Sequence, residues 1–398
     1  MNLVFFDDAN RNHLLPFTFT RPVAEIRTGI LTIREKWLMY FKDASFAYLT
    51  QPYLQKKFPF KTSAHNLYIN GAVCPNDTLA AEAASLKVGE ALYEQDVLLA
   101  VHLEGEEQFD AEASFQRIQT QSANHLCIAR VWDIFSKNAQ AIEEDYVRIT
   151  AGRTSAIVDD TNTLINPERI FVEPGASVSC SILNASTGPI YIGKDAEVME
   201  GTIVRGPFAL CEHAGTKMAA KIYGATTVGP YCKVGGEVNN SVLFAYSNKG
   251  HDGFLGNAVV GEWCNIGADT NNSNLKNNYQ EVKIWSYADN RFVRTGLQFC
   301  GLMMGDHSKC GINTMFNTGT VVGVAANIFG AGFPRNFIPS FAWGGAQGFD
   351  TFQTNKVHEM AEAMCKRRGV EYTTADKEIM EHIYTETAPN RFWENAKA

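Results

Sequence analysis

The chain has nine cysteines in 398 residues, yet no two of them form a C-x-x-C pair. An odd, scattered set of cysteines supports neither a zinc ribbon nor a disulfide framework. It predicts small buried thiols in a reducing compartment. Basic runs are also missing, and the net charge is −8. Nucleic-acid binding needs a clustered positive footprint, so nucleic acid is not an expected partner. Every apolar stretch is broken by charge or glycine well short of the roughly 20 residues that cross a bilayer, so no membrane is expected. The opening "MNLVFFDDANRN" carries no basic n-region, so no signal peptide and a cytoplasmic location are expected. Apolar residues make up 45% and charged residues 20%, which places the chain among globular proteins long enough for two or three domains.

Residues 1–165 alternate short apolar runs with helical patterns. "LVFF" (3–6), "LYING" (67–71) and "DVLLAVHL" (96–103) predict buried strands. "AEIRTGILTIREKW" (24–37) sets Ile26, Ile30, Ile33 and Trp37 at helical spacing and predicts a helix there. Strands alternating with helices suggest an α/β domain.

From 166 to 345 the pattern changes. Ile192, Val198, Val204, Leu210, Thr216, Ile222, Val228 and Val234 recur every six residues. So do Val260 and Ile266, and so do Met304, Cys310, Phe316, Val322 and Ile328. Glycine directly follows many of them. A sustained six-residue period predicts a parallel β-helix of hexapeptide repeats. No single rung can bury its own inward side chain, so the rungs must stack.

Residues 346–398 turn helical. Val357, Met360, Ala361 and Met364 form an apolar stripe, Gly369 offers a stop, and Thr373 with Asp376 suits the cap of a second helix. This extension reads as a lid on the open end of the β-helix. Lys366, Arg367 and Arg368 read as cations favoured near a helix C-terminus rather than as phosphate contacts.

The six-residue beat is interrupted twice. After Val234 the next slot, 240, is asparagine, and the pattern is lost through "NNSVLFAYSNKGHDGF" until Val260. A longer break spans 267–303. Breaks in a solenoid map to loops, often on the binding face, so the chemistry is expected there.

The segments "GEVNNSV" (236–242), "GHDGFLGNAVVG" (250–261) and "NIGADTNNSN" (265–274) resemble left-handed β-helix acyltransferases. With "LLPFTFTRPVAEIRTGILTIREKW" (14–37) and "GEWCNIGADTNNSNLKNNY" (261–279), nearly the whole chain is similar to one family. That family is the Bacteroidetes-type variant of bifunctional UDP-N-acetylglucosamine pyrophosphorylase/glucosamine-1-phosphate N-acetyltransferases. The resemblance implies a left-handed β-helix, a homotrimer and acetyl-CoA as cosubstrate. It implies cell-envelope sugar-nucleotide synthesis from a sugar 1-phosphate and a nucleoside triphosphate. It casts His251 as the catalytic base, and Glu237, Asn265 and Asn274 as residues that hold the sugar or orient the histidine. For the sugar phosphate the nearest cations in sequence are Lys249, Arg205 and Lys276, each of which also reads as a solvated charge. Asn239, Phe254, Asp269 and Leu275 replace the family's lysine, tyrosine, glycine and tyrosine, with Tyr279 following nearby.

A base is what such chemistry needs. An amino sugar is largely protonated at neutral pH and cannot attack a thioester until it loses a proton, which histidine can accept. The leaving thiolate is fairly stable, because its thiol titrates at roughly pH 8.5. Backbone N–H groups could hold the oxyanion. The plainer alternative makes His251 a solvent-facing loop residue held by Asp252.

The N-terminal half departs further from its family. Its nucleotide loop, "DDANRNH" (7–13), contains no glycine to bring backbone donors to a phosphate. Val23 stands where the family has lysine, and Ala72 where it has a metal-binding aspartate. In one reading Arg11, Arg21 and Arg27 supply the phosphate charge, and Asp7 or Asp8 holds Mg²⁺. In the other the domain keeps the fold with a lost or altered activity. Three functions stay open: uridylyl and acetyl transfer together, thymidylyl or uridylyl transfer to glucose-1-phosphate on a trimerising β-helix scaffold, or non-catalytic sugar-nucleotide binding.

Overall fold

The computed structural model describes residues 1–105, 109 and 115–395. They form two compact units. The first comprises residues 1–14, 20–26 and 31–130; the second comprises 15–19, 27–30 and 131–398.

The first unit is built on a mixed sheet of β1 (Asn2–Phe6), β2 (Ser45–Leu49), β3 (His65–Asn70), β4 (Glu90–Glu94), β5 (Val97–Glu104) and β6 (Gln116–Gln119). Their order is β2-β1-β3-β5-β4-β6, with β1 parallel to both neighbours and β5 antiparallel to both of its own. All five residues of β1 are buried, as a central parallel strand requires. The expected helix over 24–37 is shorter than its periodicity suggests. Helix α1 spans only Ile33–Tyr40, opened by a capping box between Thr32 and Glu35, and α2 follows at Asp77–Ser85. Gly29 lies at φ +74°, which no helix contains, and its N–H donates to Asn138 Oδ1 at 2.6 Å. Ile26 and Ile30 are buried, but on non-helical backbone.

The second unit is a left-handed parallel β-helix; the six-residue period predicts its stacked turns, and the hand is the one the family resemblance implies. Three strands make one turn and every third strand stacks on the last, giving three flat faces. The first face runs from Thr163–Ile165 to Phe254–Gly256 with six strands. The second holds nine, from Ile170–Val172 to Phe337–Ile338. The third holds ten, beginning at Ser177–Val178. Inward positions form apolar columns such as Ile192, Leu210 and Val228, each wholly buried. Full burial of such a side chain contributes about 1.5–3 kcal/mol.

The three faces meet different surroundings. First-face strands alternate exposed, buried, exposed, as in Ile203–Arg205. Second-face strands such as Phe208–Leu210 are buried throughout. They are covered from outside by segments 15–19 and 27–30 and by α3 (Asp133–Ser136) and α4 (Asn138–Thr150). Phe17 packs on Phe244 with ring centres 5.3 Å apart, Thr227 Oγ1 donates to the Gly29 carbonyl, and Asn138 Nδ2 donates to the Ala225 carbonyl. Two stretches of the N-terminal signature thus serve as packing for the β-helix.

The first interruption is not a loop. Val242–Leu243, Asn248–Lys249 and Phe254–Gly256 are strands in register with the turns before and after them. The spacing simply contracts. Leu210 stacks on Val228, eighteen residues on, whereas Val228 stacks on Leu243, only fifteen on. Shorter corners move the inward residues out of the six-residue phase while the turns continue. The second interruption is a true excursion: after Asn271–Asn272 the chain makes an antiparallel hairpin, Lys283–Ser286 with Arg291–Arg294, and rejoins at Leu302–Met304.

At the C-terminus α5 (Thr354–Arg367) ends at Gly369, and α6 (Thr374–Glu386) opens with the expected Thr373–Asp376 capping box. The lid is a different element: Trp393 on the short helix α7 (Phe392–Asn395) joins the β-helix core beside Phe349. Helix α5 runs along the third face instead. Val357, Ala361 and Cys365 are its buried residues, so Met360 and Met364 are left to line a cavity.

Candidate functional site

The third face carries one column of outward side chains: Lys233, Asn248, Asn265 and Lys309, each paired with the next. Helix α5 roofs this column. Between them lies a cavity of about 970 Å³. Among the described residues five cations line it, Lys217, Lys233, Lys309, Arg367 and Arg368, and no Asp or Glu does. Lys233 Nζ donates to the His213 carbonyl at 3.2 Å, and Lys309 Nζ to the Trp263 carbonyl at 3.3 Å. Arg368 Nη2 reaches Asn248 Oδ1 at 3.3 Å, so the chain just past α5 is tied to the face. Burial pushes the pKa values of Lys233 and Lys309 below the usual lysine value. A bound anion would oppose that shift, because an opposite charge favours the protonated form.

Tyr246 and Trp263, which line the cavity, belong to a ladder of rings. His213, Tyr231, Tyr246 and Trp263 stack in sequence at 4.7, 4.8 and 4.2 Å between centres. Each stands at a corner residue of left-handed backbone, with φ between 54° and 60°. That conformation costs a non-glycine residue about 1–2 kcal/mol. Each ring pair returns about 0.5–1.5 kcal/mol, so the stacking offsets much of the strain.

His251 lies at the rim, exposed, on the Gly250–Gly253 corner between the third and first faces. Asp252 does not hold it: among the described residues no side chain hydrogen-bonds its ring. Asn265 lines the same cavity. Lys249 is adjacent but turned inward; it is 1% exposed and its Nζ donates to the carbonyls of His251 at 2.5 Å and Asp252 at 3.0 Å.

The other candidates lie apart from this cavity. Arg205 lines a second cavity of about 540 Å³ on the first face, with Lys221 and Tyr223. Glu237 accepts a 2.6 Å hydrogen bond from Tyr223 Oη on the same face. Asn274 Nδ2 donates to Asn257 Oδ1 at 2.8 Å, and Lys276 Nζ to the Glu281 carbonyl at 2.9 Å, both at the root of the excursion. Within one chain the six substrate candidates therefore fall into four places, and only Asn265 shares the cavity of His251: Lys249 is buried, Arg205 and Glu237 are on the first face, and Asn274 and Lys276 are at the excursion. Asp269 has φ +55°, the left-handed region where glycine is at ease and Asp is tolerated, which accounts for that replacement.

Sequence reasoning passed over Lys217, Lys233 and Lys309, and it took Arg367 and Arg368 for ordinary helix-end charges. A signal existed for two of them. Lys233 and Lys309 immediately precede the inward residues Val234 and Cys310, which puts them on one outward column once the period is in phase.

In the first unit the side chain of Asp7 is 4% exposed. Its carboxylate accepts from Val23 N–H at 2.8 Å and Thr50 Oγ1 at 2.5 Å, with Arg11 Nε 3.7 Å away. Burial pushes its pKa up, against the ionised form a metal needs. Asp8 accepts from the amides of Asn10 and Asn70. No cluster of three or more His, Cys, Asp or Glu that could hold a metal occurs among the described residues. Asp7 and Asp8 do not fit a protein-held Mg²⁺ site. Arg11 is buried and donates to Tyr53 Oη at 2.8 Å; Arg21 is also buried, beside Thr20. Arg27 belongs to the second unit and donates to the Ile30 carbonyl.

Residues 3–154 match the family model described as sugar nucleotidyl transferase. The chain is a transferase. No curated protein matches it. Among solved structures, a UDP-N-acetylglucosamine acyltransferase is 10% identical, covering 59% of this chain and 89% of its own, at a TM-score of 0.22. The Francisella novicida UDP-N-acetylglucosamine acyltransferase is 11% identical over 59% of this chain and 86% of its own, with a TM-score of 0.25. The Arabidopsis UDP-N-acetylglucosamine acyltransferase is 11% identical over 60% and 92%, with a TM-score of 0.20. Likenesses this slight carry no statement about this transferase's activity. No described helix is long and apolar enough to cross a membrane.

Proposed function

We propose that this transferase makes a nucleotide-activated amino sugar, with acetyl transfer from acetyl-CoA to glucosamine-1-phosphate in the β-helix and nucleotidyl transfer in the N-terminal domain. One observation carries the first half: His251 stands at the rim of a cavity that, among the described residues, is lined by five cations and no carboxylate. A donor bearing several phosphates is the ligand that such a lining suits. The amine of the sugar gives its proton to His251 as its nitrogen bonds to the acetyl carbon. The C–S bond then breaks, and the departing thiolate takes the proton. Release of free thiol from acetyl-CoA, measured with glucosamine-1-phosphate and with other amino sugars, tests this directly. Absence of thiol release with every acceptor sinks the acyl-transfer half.

The cationic lining makes a sharper expectation. Arg367→Ala with Arg368→Ala raises KM for acetyl-CoA about tenfold or more and leaves KM for the sugar phosphate little changed, since a hydrogen bond to a charged group contributes about 1.5–3 kcal/mol. Steady-state kinetics of the double variant checks it; an unchanged donor KM places the phosphates elsewhere.

A second reading, nucleotidyl transfer alone with the β-helix as scaffold, is favoured by the confinement of the family match to 3–154. Mg²⁺ in that reaction would arrive on the triphosphate rather than wait in a carboxylate cage. Calorimetric titration of UTP and dTTP with Mg²⁺ separates the readings: thiol release without nucleotide binding leaves acyl transfer only, and the converse leaves the scaffold reading. The homotrimer belongs to the same proposal. The open first face, where Ile182 is 39% and Ile203 48% exposed, offers an apolar surface for copies of the chain to meet, and sedimentation checks it.

A further inference from the structure

Down the third face the inward column reads Val198, Thr216, Val234, Lys249, then Ile266, Cys310 and Ile328. A lysine in that column is out of place. It sits in a prism interior among apolar and small side chains, 1% exposed. Burial pushes its pKa down to about 8, and the titratable groups that face it are Asp252, Asp269 and the Cys310 thiol. Placing an ammonium there is costly unless its protons are used. They are used on the carbonyls of His251 and Asp252, two and three residues ahead. The Asp252 carbonyl has a second donor, Asp269 N–H at 3.0 Å. The His251 carbonyl is held by Lys249.

The corner needs such a hold. It is a Gly-His-Asp-Gly turn, and glycine on both sides leaves the backbone freer than any other residue would. Gly253 lies at φ +107°. Nothing stands within 4 Å of the position of a Cβ on Gly250, so that side of the corner is open, while its backbone lies against Gly235 and Gly236 of the turn before. The ring of His251 makes no hydrogen bond within the described chain, so its placement depends on where the backbone of residue 251 is fixed.

We propose that Lys249 is a positioning residue: from inside the prism it clamps the backbone of the 250–253 corner and thereby sets where His251 presents its ring to the substrate amine. The proposal rests on the reading of His251 as the base. It gives Lys249 no contact with the sugar phosphate, because its ammonium is turned away from solvent.

Lys249→Met tests it, since methionine fills nearly the same volume and donates nothing. The expected kcat falls about 10–100-fold, as small misplacements of a catalytic group do. KM for both substrates stays within about threefold, the mark of an interaction absent from ground-state binding. The melting temperature holds or rises, because a buried charge has gone. In hydrogen exchange on the full chain, amides 250–253 exchange faster while those of the neighbouring turns do not change. A raised KM for the sugar phosphate with kcat intact overturns the proposal, because Lys249 would then be a direct ligand. So does unchanged exchange at 250–253. If the wild type transfers no acyl group, the reading of His251 fails separately, and the exchange result still decides whether the corner is clamped. Should Lys249→Met not fold, Lys249→Gln carries the same comparison; it keeps a donor, and partial protection of 250–253 is expected.

Discussion

His251→Ala loses acetyl transfer by about 10²–10⁴-fold, the usual cost of removing a general base. It does so without loss of fold. The side chain is exposed and its ring has no hydrogen-bond partner among the described residues, while the backbone carbonyl that Lys249 grips is kept. Two measurements are needed together: thiol release from acetyl-CoA, and a thermal melt. Near wild-type turnover rules His251 out as the base. A collapsed melting curve would instead make it a structural residue. Nucleotide binding by the first unit should be unaffected, since the two activities would use separate cavities.

Gly229→Ala should be the most damaging small substitution in the β-helix. Gly229 directly follows the inward residue Val228, and a Cβ there would lie 1.6 Å from the Phe244 carbonyl oxygen and 2.5 Å from that of Leu243. Both obstacles are backbone, so no side chain can swing aside. The crowding has a cause in the sequence: here the turn contracts from eighteen residues to fifteen, which brings residues 243–244 directly onto the corner. Relief requires moving two stacked turns, at about 3–5 kcal/mol. Gly250→Ala is the control. Its Cβ meets nothing within 4 Å and its φ is not in the left-handed region, so the change should stay within about 1 kcal/mol. Chemical or thermal unfolding of the pair decides it; equal stabilities would mean that the corner yields far more easily than its contacts imply.

The β-helix was legible in the sequence because its period is a local property. Each inward side chain is set by counting along the chain, and Ile192, Leu210 and Val228 lie where the count puts them. The Thr373–Asp376 cap was legible for the same reason: both partners sit within one helical turn. Helix α1 was misjudged because the spacing of Ile26 and Ile30 imitates a helix. The backbone at Gly29 is left-handed, fixed by the distant residues Asn138 and Asp145, which take the N–H groups of Gly29 and Ile30. No local rule sees partners more than a hundred residues away.

The site divides along the same line. His251 could be found from its motif, because the corner that carries it is short and contiguous. Its surroundings could not. Arg367 and Arg368 stand more than a hundred residues further along and reach the third face only because α5 lies along it. Lys249, two residues from His251, looks like a surface cation in the sequence. Whether it points out to a phosphate or in to a carbonyl depends on the phase of the turn, and the contraction after Val234 changed that phase. Sequence alone determined that the chain stacks turns and where one histidine stands. Tertiary structure decided which cations gather round that histidine and which lysine is buried beneath it, since side-chain direction follows register between turns, and register is set by stacking across the prism rather than by neighbours in the chain.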